Sequence, residues 1–577
     1  MSSRRQFLAS AAVASAGAVV PAPLAAHALT PGAPPARPLR HSDDPVTVGD
    51  IEATERVLGL EFRPEHRALM LDDVAENRES LQAIRDAEPS NAVPPALTLD
   101  LALGGEVRPA PGPGVRVDLP TIPNRFSDED LAFASIAELA GMLRGRAITS
   151  VELTRLCLNR LRTLGRQLEA VVTLTEERAL QQAAAMDLEL AQGIDRGPLH
   201  GIPYGAKDLL AVRNYPTTWG AAPYRDQVID DDAAAIERMD AAGAVLVAKL
   251  TLGALAWGDV WYGGMTRNPW NIDQGASGSS AGPGAAVAAG LVPFALGSET
   301  LGSIVSPSTR NGVSGLRPTF GRVSTRGAMA LSWSMDKLGP MARSAQDCAL
   351  VFDALRGPDP RAASPALDPA FPFDPGLDVR DLRVGVLADA FESGEGEGGD
   401  ADRATLDVIR QLGVDARPVS LPSGIPVDAL LIILSAEASA AFDGLTRSGD
   451  VDQLVRQERY AWPNTFRHAR LIPAVEYINA NRLRTQLMRE MAVLMTEIDV
   501  LVAPSFRNAA LSITNLTGHP TAVIPNGFFP VEGHPERRQP HSVSFLGPLW
   551  KDHLPLQLAH AVQDATDWHL QRPPVRG

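Results

Sequence analysis

Gly275-Ala-Ser-Gly-Ser279-Ser280-Ala-Gly-Pro-Gly-Ala-Ala-Val-Ala-Ala-Gly290 runs into an apolar segment and then into Gly297-Ser-Glu-Thr-Leu-Gly302-Ser303-Ile-Val. The opening Gly/Ser residues read as a loop. The small residues from Ala281 on suit a helix packed tightly against a neighbour. The stretch 281–297 is apolar, but Pro283 and Pro293 interrupt it. It therefore reads as a buried helix and a buried strand, not as a membrane span, which needs about 20 apolar residues.

The same alternation continues outward. Ser135-Ile-Ala-Glu138 and Thr149-Ser-Val-Glu152 are capping boxes, each followed by apolar residues at helical spacing. A third helix is predicted over 175–192. Short apolar runs, several of them β-branched and bounded by Gly or Pro, read as strands at 244–248, 384–387, 500–503 and 521–524. Strands alternating with helices imply an α/β fold: a mixed, twisted β-sheet flanked by helices on both faces.

Composition narrows the function. The chain has 577 residues, 45% hydrophobic and 21% charged, which is enough to build a core and too apolar for a disordered protein. Two cysteines exclude a disulfide scaffold and a cysteine-only zinc site. Cys157 and Cys348 both lie on apolar helical faces and read as small buried residues, with a disulfide between them left open. The formal net charge of -15 argues against general nucleic-acid binding, which needs a basic footprint. The histidines show no metal-ligand pairing and read as surface groups or groups behind a site.

The chain starts with Ser3-Arg4-Arg5-Gln6-Phe7-Leu8, a mild apolar run from Ala9 to Val20, Pro21 and Ala26-His27-Ala28. This resembles a twin-arginine export signal, so residues 1–28 are expected to be removed and the protein to be periplasmic or secreted. Residues 29–125 are expected to form a Pro/Ala-rich linker and a helical accessory segment, with two helices between 47 and 87. The catalytic domain is expected over 126–577.

Gly201-Ile-Pro-Tyr-Gly-Ala-Lys207-Asp208 sets a lysine in a nearly uncharged run. A serine hydroxyl is a poor nucleophile until a base takes its proton. A lysine is that base only when neutral, and holding it neutral near pH 7 costs about 4–5 kcal/mol. Burial among Ile202, Pro203, Leu209 and Leu210 supplies such a cost, because desolvation disfavours the charged form. Asp208 would oppose the shift if it faced the amine, so it is expected to point elsewhere. Glycine-rich backbone beside a nucleophile leaves amides free for a developing oxyanion. Lys249, at the end of a predicted strand, is a rival base.

Together these pieces resemble the amidase signature family of serine hydrolases, over roughly residues 126–577. Arg267-Asn-Pro-Trp270, Gly315-Leu-Arg-Pro-Thr319, Asp336-Lys-Leu-Gly-Pro-Met-Ala-Arg343 and Thr517-Gly-His-Pro-Thr-Ala-Val-Ile-Pro525 carry the likeness further, in the right order. The resemblance implies a catalytic triad of Ser303, Ser279 and Lys207, with a cis peptide at Gly278–Ser279. The backbone N–H groups of Thr300, Leu301, Gly302 and Ser303 would form the oxyanion hole, and Ser280 would support the triad. The substrate would be a small amide attacked to give an acyl-serine that water hydrolyses. The resemblance calls for no metal or organic cofactor and no nucleic-acid partner. Oligomeric state, a homodimer included, is left open.

The chain departs from the family in places. Leu301 stands where glycine is usual, Val305 where arginine is common and Glu299 where aspartate is common. Ala281 and Pro283 also replace the usual residues. A charge pair near the nucleophile is therefore expected to be missing unless Arg310 supplies its cation. Trp257, Trp261 and Tyr262 suit an acyl pocket or the core equally. Three other functions compete. One is an α/β-hydrolase esterase, because Gly278-Ser-Ser280-Ala-Gly282 matches the Gly-x-Ser-x-Gly elbow; the turn-rich residues 268–274 before it are not the strand that elbow needs. Another is the glutaminase subunit of a tRNA amidotransferase, a relative that works in the cytoplasm with protein partners and tRNA. The last is a binding protein on an inactivated scaffold.

Overall fold

The computed structural model describes residues 44–59, 64, 114–116, 126–359, 361, 370–458, 460–469 and 472–575. The export-signal residues and the second accessory helix lie outside the described residues. The first accessory helix is present as α1 (Val48–Leu58), capped by Thr47. Further along the chain, after a short helix at Asp128–Phe133, come α2 (Ile136–Arg144), α3 (Ser150–Gln167) and α4 (Glu176–Ala191). Both expected capping boxes form: the side chains of Ser135 and Thr149 accept from the amides of Glu138 and Glu152, whose carboxylates reach back. Each box satisfies amides that a helix start leaves without an intrahelical partner.

One mixed sheet of eleven strands organises the chain. In chain order these are β1 (Val171–Leu174), β2 (Pro203–Lys207), β3 (Val245–Leu250), β4 (Phe294–Glu299), β5 (Ser314–Arg317), β6 (Lys337–Ala342), β7 (Val384–Val386), β8 (Ala416–Pro418), β9 (Val500–Pro504), β10 (Thr521–Val531) and β11 (His534–Leu546). Their spatial order is β1-β3-β2-β4-β6-β5-β10-β11-β9-β7-β8. β2 runs parallel to β3 and β4, whereas β6 is antiparallel to β4.

The central strands are apolar on both faces because each face is covered. Successive side chains of a strand point to opposite sides. Leu246, Phe294 and Leu296 accordingly enter one core with Ile136, Leu139 and Met142 of α2. Val245, Val247 and Ala295 enter another with Leu158, Leu161 and Leu164 of α3. The 281–297 block splits as expected into α5 (Ala281–Ala288) and β4. α5 is buried throughout, and only residues as small as Gly and Ala let a helix approach the sheet on every side. α6 (Val305–Asn311), α7 (Ile432–Ala441) and α8 (Ala474–Glu497) complete the elements near the site. Cys157 and Cys348 are buried free thiols, one in each core, so no disulfide links them.

The registers gather chemistry at one sheet edge. Lys207 ends β2, Glu299 ends the parallel β4, and Lys337, opposite Glu299, begins β6. The loops leaving these strand ends carry the polar groups described next, the usual location of sites in open α/β sheets.

Candidate active site

Lys207 has no exposed surface. Its Nζ lies 2.8 Å from Ser279 Oγ, 3.0 Å from Ser280 Oγ, 2.8 Å from Ser298 Oγ and 3.4 Å from the Ser298 carbonyl. Among the described residues no carboxylate is within ion-pair distance of it. Burial pushes its amine well below the ordinary lysine range, with Asp336 and Glu299 pulling the other way. Hydrogen-bond accounting separates the serines. Ser280 Oγ donates to the Ser298 carbonyl at 3.1 Å, so toward Lys207 it acts as acceptor. Ser279 has no such commitment, and its proton is free to point at the lone pair of a neutral amine.

The Ser/Gly loop is held by close packing. The Gly278–Ser279 peptide is cis. Gly278 lies against the carbonyl of Gly258, where an added Cβ would come within 1.8 Å of that oxygen. The loop meets the next one through Ser280 N, which donates to the Ser303 carbonyl at 3.2 Å. Ser277 Oγ and Ser306 Oγ, 2.7 Å apart, add a second tie.

Residues 300–303 form a tight loop between β4 and α6, with Gly302 at a φ of 83° that favours glycine. The amides of Thr300, Leu301, Gly302 and Ser303 donate to no partner among the described residues. Glu299 staples the two ends of this loop together. Its Oε2 accepts from the amides of Ile304 at 2.8 Å and Val305 at 3.0 Å. Its Oε1 accepts from Arg317 Nη1 at 2.9 Å and Asn515 Nδ2 at 2.8 Å. Burial alone would raise this carboxylate, but Arg317, the Val305 amide and Asn515 hold it down at about 2. Thr300 Oγ1 donates to Asp336 Oδ1 at 2.6 Å, and Asp336 Oδ2 accepts from Leu331 N and Ser332 N. Burial pushes Asp336 up to about 6, against the pull of those donors. Ser303 is 8% exposed, and its hydroxyl makes no hydrogen bond among the described residues. Lys207, Ser279 and Ser280 are thus in direct contact, while Ser303 is tied to Ser280 through its backbone. Catalytic hydrogen bonds are often long before substrate binds.

Several expectations change here. The charge pair expected to be missing is present, and Arg317 rather than Arg310 supplies its cation; both Glu299 and Arg317 are fully buried. Arg310 instead donates to Gln274 Oε1 at 3.1 Å. Asp208 does point away from Lys207, and it pairs with Lys249 at 2.7 Å. Lys249 is therefore held by a carboxylate, as a free base would not be. The residues before the elbow are not merely turns: Asn271–Gly275 pairs with Arg267–Asn268, but in a ribbon outside the main sheet. Ser280, the elbow serine, bonds to Lys207 and not to histidine. His200 is neither at the surface nor behind the site; it is buried against Arg196 and Met186. His519 is also buried, and its carbonyl accepts from Arg317.

Sequence reasoning singled out Glu299 but missed its cation, Arg317, and it missed Asp336 and Ser298 as parts of the site. Arg317 and Asp336 lie inside motifs that carry the family likeness, but only the sheet register shows what they touch. Leu301 is half-buried against the main core. Trp261 is buried edge-on to Tyr262, Arg225 covers Tyr262, and Arg456 lies over Trp257, which packs on the core. No group of His, Cys, Asp and Glu among the described residues is arranged to hold a metal, and none of the helices searched there is long and apolar enough to cross a membrane.

Comparison with known proteins follows the same residues. The family model for amidases matches residues 152–553. A curated relative, the A-type subunit of glutamyl-tRNA(Gln) amidotransferase from Roseiflexus sp. (strain RS-1), is 34% identical over 75% of this chain and 96% of its own. Among solved structures, the peptide amidase of Stenotrophomonas maltophilia superposes with a TM-score of 0.65 at 29% identity, over 77% of this chain and 98% of its own. A structure described as a vestigial protein complex bearing on the origins of an s-triazine catabolic enzyme gives 0.68 at 29% identity, over 75% and 98%.

Proposed function

The chain belongs to the amidase signature family, whose members act on carbon–nitrogen bonds, and from that premise we propose that it hydrolyses a carboxylic amide through an acyl-enzyme on Ser303. One observation carries this reading: a fully buried amine that, among the described residues, bonds only to hydroxyls and a carbonyl, beside a loop of four amides with no partner among those residues, which ends in Ser303. In the proposed reaction neutral Lys207 draws the proton of Ser279, and Ser279 draws that of Ser303 as its oxygen attacks the amide carbon. The amides of residues 300–303 receive the oxyanion, stabilised because they are fixed before charge develops. The proton returns through Ser279 to the departing nitrogen, the C–N bond breaks and the amine leaves. Water, deprotonated by the same relay, then cleaves the acyl ester. Every group used belongs to the protein, and no cofactor enters the proposal.

Two settings for this chemistry are supported differently. The curated relative, itself named as part of an amidotransferase, favours glutamine as the amide and an assembly of several proteins that uses tRNA. That is a stronger likeness than the one to the peptide amidase, which supports a free-standing enzyme for small amides. The twin-arginine-like start and the net charge of -15 support an exported, free-standing enzyme instead. A panel of glutamine, C-terminal peptide amides and anilides, assayed with purified chain and with Ser303→Ala as control, tests the proposal by released ammonia or amine. Turnover confined to glutamine supports the amidotransferase setting; turnover of peptide amides or anilides supports the free-standing one; none at all contradicts amide hydrolysis. Export is tested separately by N-terminal sequencing of the protein from a periplasmic fraction, which should begin after Ala28.

A further inference from the structure

Asp259 takes no part in the reaction proposed above, yet its carboxylate reaches the loop that carries Ser279. Its Oδ2 accepts from the Ser277 amide at 2.9 Å. Ser277 is buried and sits at a φ of 59°, a left-handed backbone that residues with a Cβ seldom adopt. Such a conformation persists only where the surroundings over-determine it. Here the amide is taken by Asp259. The hydroxyl meets Ser306 Oγ at 2.7 Å, in α6 and three residues past Ser303. The two glycines that flank Ala276-Ser277 both press on the dipeptide Gly258-Asp259. A Cβ on Gly275 would come within 2.0 Å of Asp259 Oδ2, and one on Gly278 within 1.8 Å of the Gly258 carbonyl. Asp259 is itself fixed, because its carbonyl accepts from the Thr266 amide at 3.1 Å. Ser277 is thus the joint between the Ser/Gly loop and the nucleophile's loop: Asp259 holds its backbone and Ser306 its side chain.

We propose that Asp259 is a positioning residue: by accepting from the Ser277 amide it fixes the turn that seats Ser279, two residues on, between Lys207 and Ser303. The contact at stake is the 2.8 Å approach of Ser279 Oγ to Lys207 Nζ. What the role requires is an acceptor oxygen at one point, not a charge. Burial pushes the Asp259 carboxyl up, while the Ser277 amide, Arg456 and Arg310 pull it down. An uncharged amide of the same shape therefore suits the place.

The inference rests on Ser279 acting as the relay, and the test separates the two. Fluorophosphonate labelling of Ser303 is followed at several probe concentrations, which separates the maximal rate from the concentration that half-saturates it. The proteins are the wild type, three Asp259 variants and Ser279→Ala. Asp259→Ala should lower the maximal rate by about 10²-fold, as a misplacement of about 1 Å does, with half-saturation unchanged and circular dichroism native. Asp259→Asn keeps an oxygen for the Ser277 amide and should recover most of the rate. Asp259→Glu keeps the charge but displaces the oxygens, so it should fall with Asp259→Ala; it decides the matter should Asp259→Ala fail to fold. A purely structural role predicts a lower urea midpoint with the labelling rate of the folded protein intact, and that result overturns the inference alone. So does a loss in Asp259→Asn as large as in Asp259→Ala, which would make the charge the active feature. Labelling that is as fast in Ser279→Ala as in the wild type overturns the relay and this inference with it.

Discussion

Glu299→Gln separates the charge of the loop staple from its shape. Four donors converge on this carboxylate: the amides of Ile304 and Val305 on one oxygen, Arg317 and Asn515 on the other. Glutamine fills the same space but presents one acceptor oxygen and one NH2 group. It can therefore satisfy the loop amides or the Arg317 side, not both, and Arg317 stays buried without its counter-charge. Removing one partner of a buried ion pair costs about 3–5 kcal/mol, so the urea midpoint should fall clearly. The loop amides lose their anchor, and kcat should drop about 10²-fold, the loss expected when one oxyanion donor is misplaced. The third effect runs the other way. Glu299 is one of two acids that pull Lys207 upward, so removing its charge should move the acid limb of activity to lower pH. Glu299→Asp, which keeps the charge on a shorter arm, should recover part of the stability and leave the limb near its original place. Urea titration and pH–rate profiles of the three proteins read all these effects. A Glu299→Gln protein with unchanged midpoint and unchanged turnover would refute the idea that this pair holds the loop.

Lys207→Met and Ser303→Ala should each lower turnover by about 10⁴-fold or more while circular dichroism stays native, because each removes one member of a single relay. Activity of the wild type should rise with pH as Lys207 loses its proton and level off well below the ordinary lysine range; a profile flat from acid to alkaline pH would contradict a lysine base. Asp336→Asn keeps an oxygen for Thr300 but removes a charge that favours protonated Lys207, so its acid limb should lie at lower pH than the wild type's. Gly278→Ala should be inactive and less stable, since its methyl would collide with the Gly258 carbonyl; wild-type activity would show that the two loops are not packed as described.

The parts of the fold that rest on local chemistry were legible in the chain. Ser135 and Thr149 announce helix starts because a hydroxyl and an acid three residues later satisfy the same amides in any context. The strands expected at 244–248, 500–503 and 521–524 were readable because apolar, partly β-branched runs suit a sheet covered on both faces, though the last of them continues to Val531. Lys207 stood out as a lysine in a nearly uncharged run, whereas serine beside glycine is common in loops, and Ser279, Ser280 and Ser303 were singled out by the family resemblance. What stayed hidden depends on partners distant in sequence. Glu299 looked unpaired because its cation, Arg317, reaches it only after the chain has turned through α6 into β5; Arg310 was nearer in sequence but faces Gln274. Asp336 lay in a recognised run, yet nothing local shows that it holds Thr300. Lys249 was a rival base in the sequence, where the motif match already favoured Lys207, and the geometry separates the two by giving Lys249 a carboxylate and Lys207, among the described residues, only hydroxyls and a carbonyl.

The central claim is that an amine kept neutral by burial makes Ser303 reactive through Ser279. Peptide mapping by mass spectrometry after brief fluorophosphonate exposure at several pH values tests it most directly. The adduct should sit on Ser303, should form faster as pH rises toward neutrality and should be nearly absent in Lys207→Met and Ser279→Ala. An adduct on Ser280 or another serine, or labelling of Ser303 that is equally fast in Lys207→Met, would contradict it.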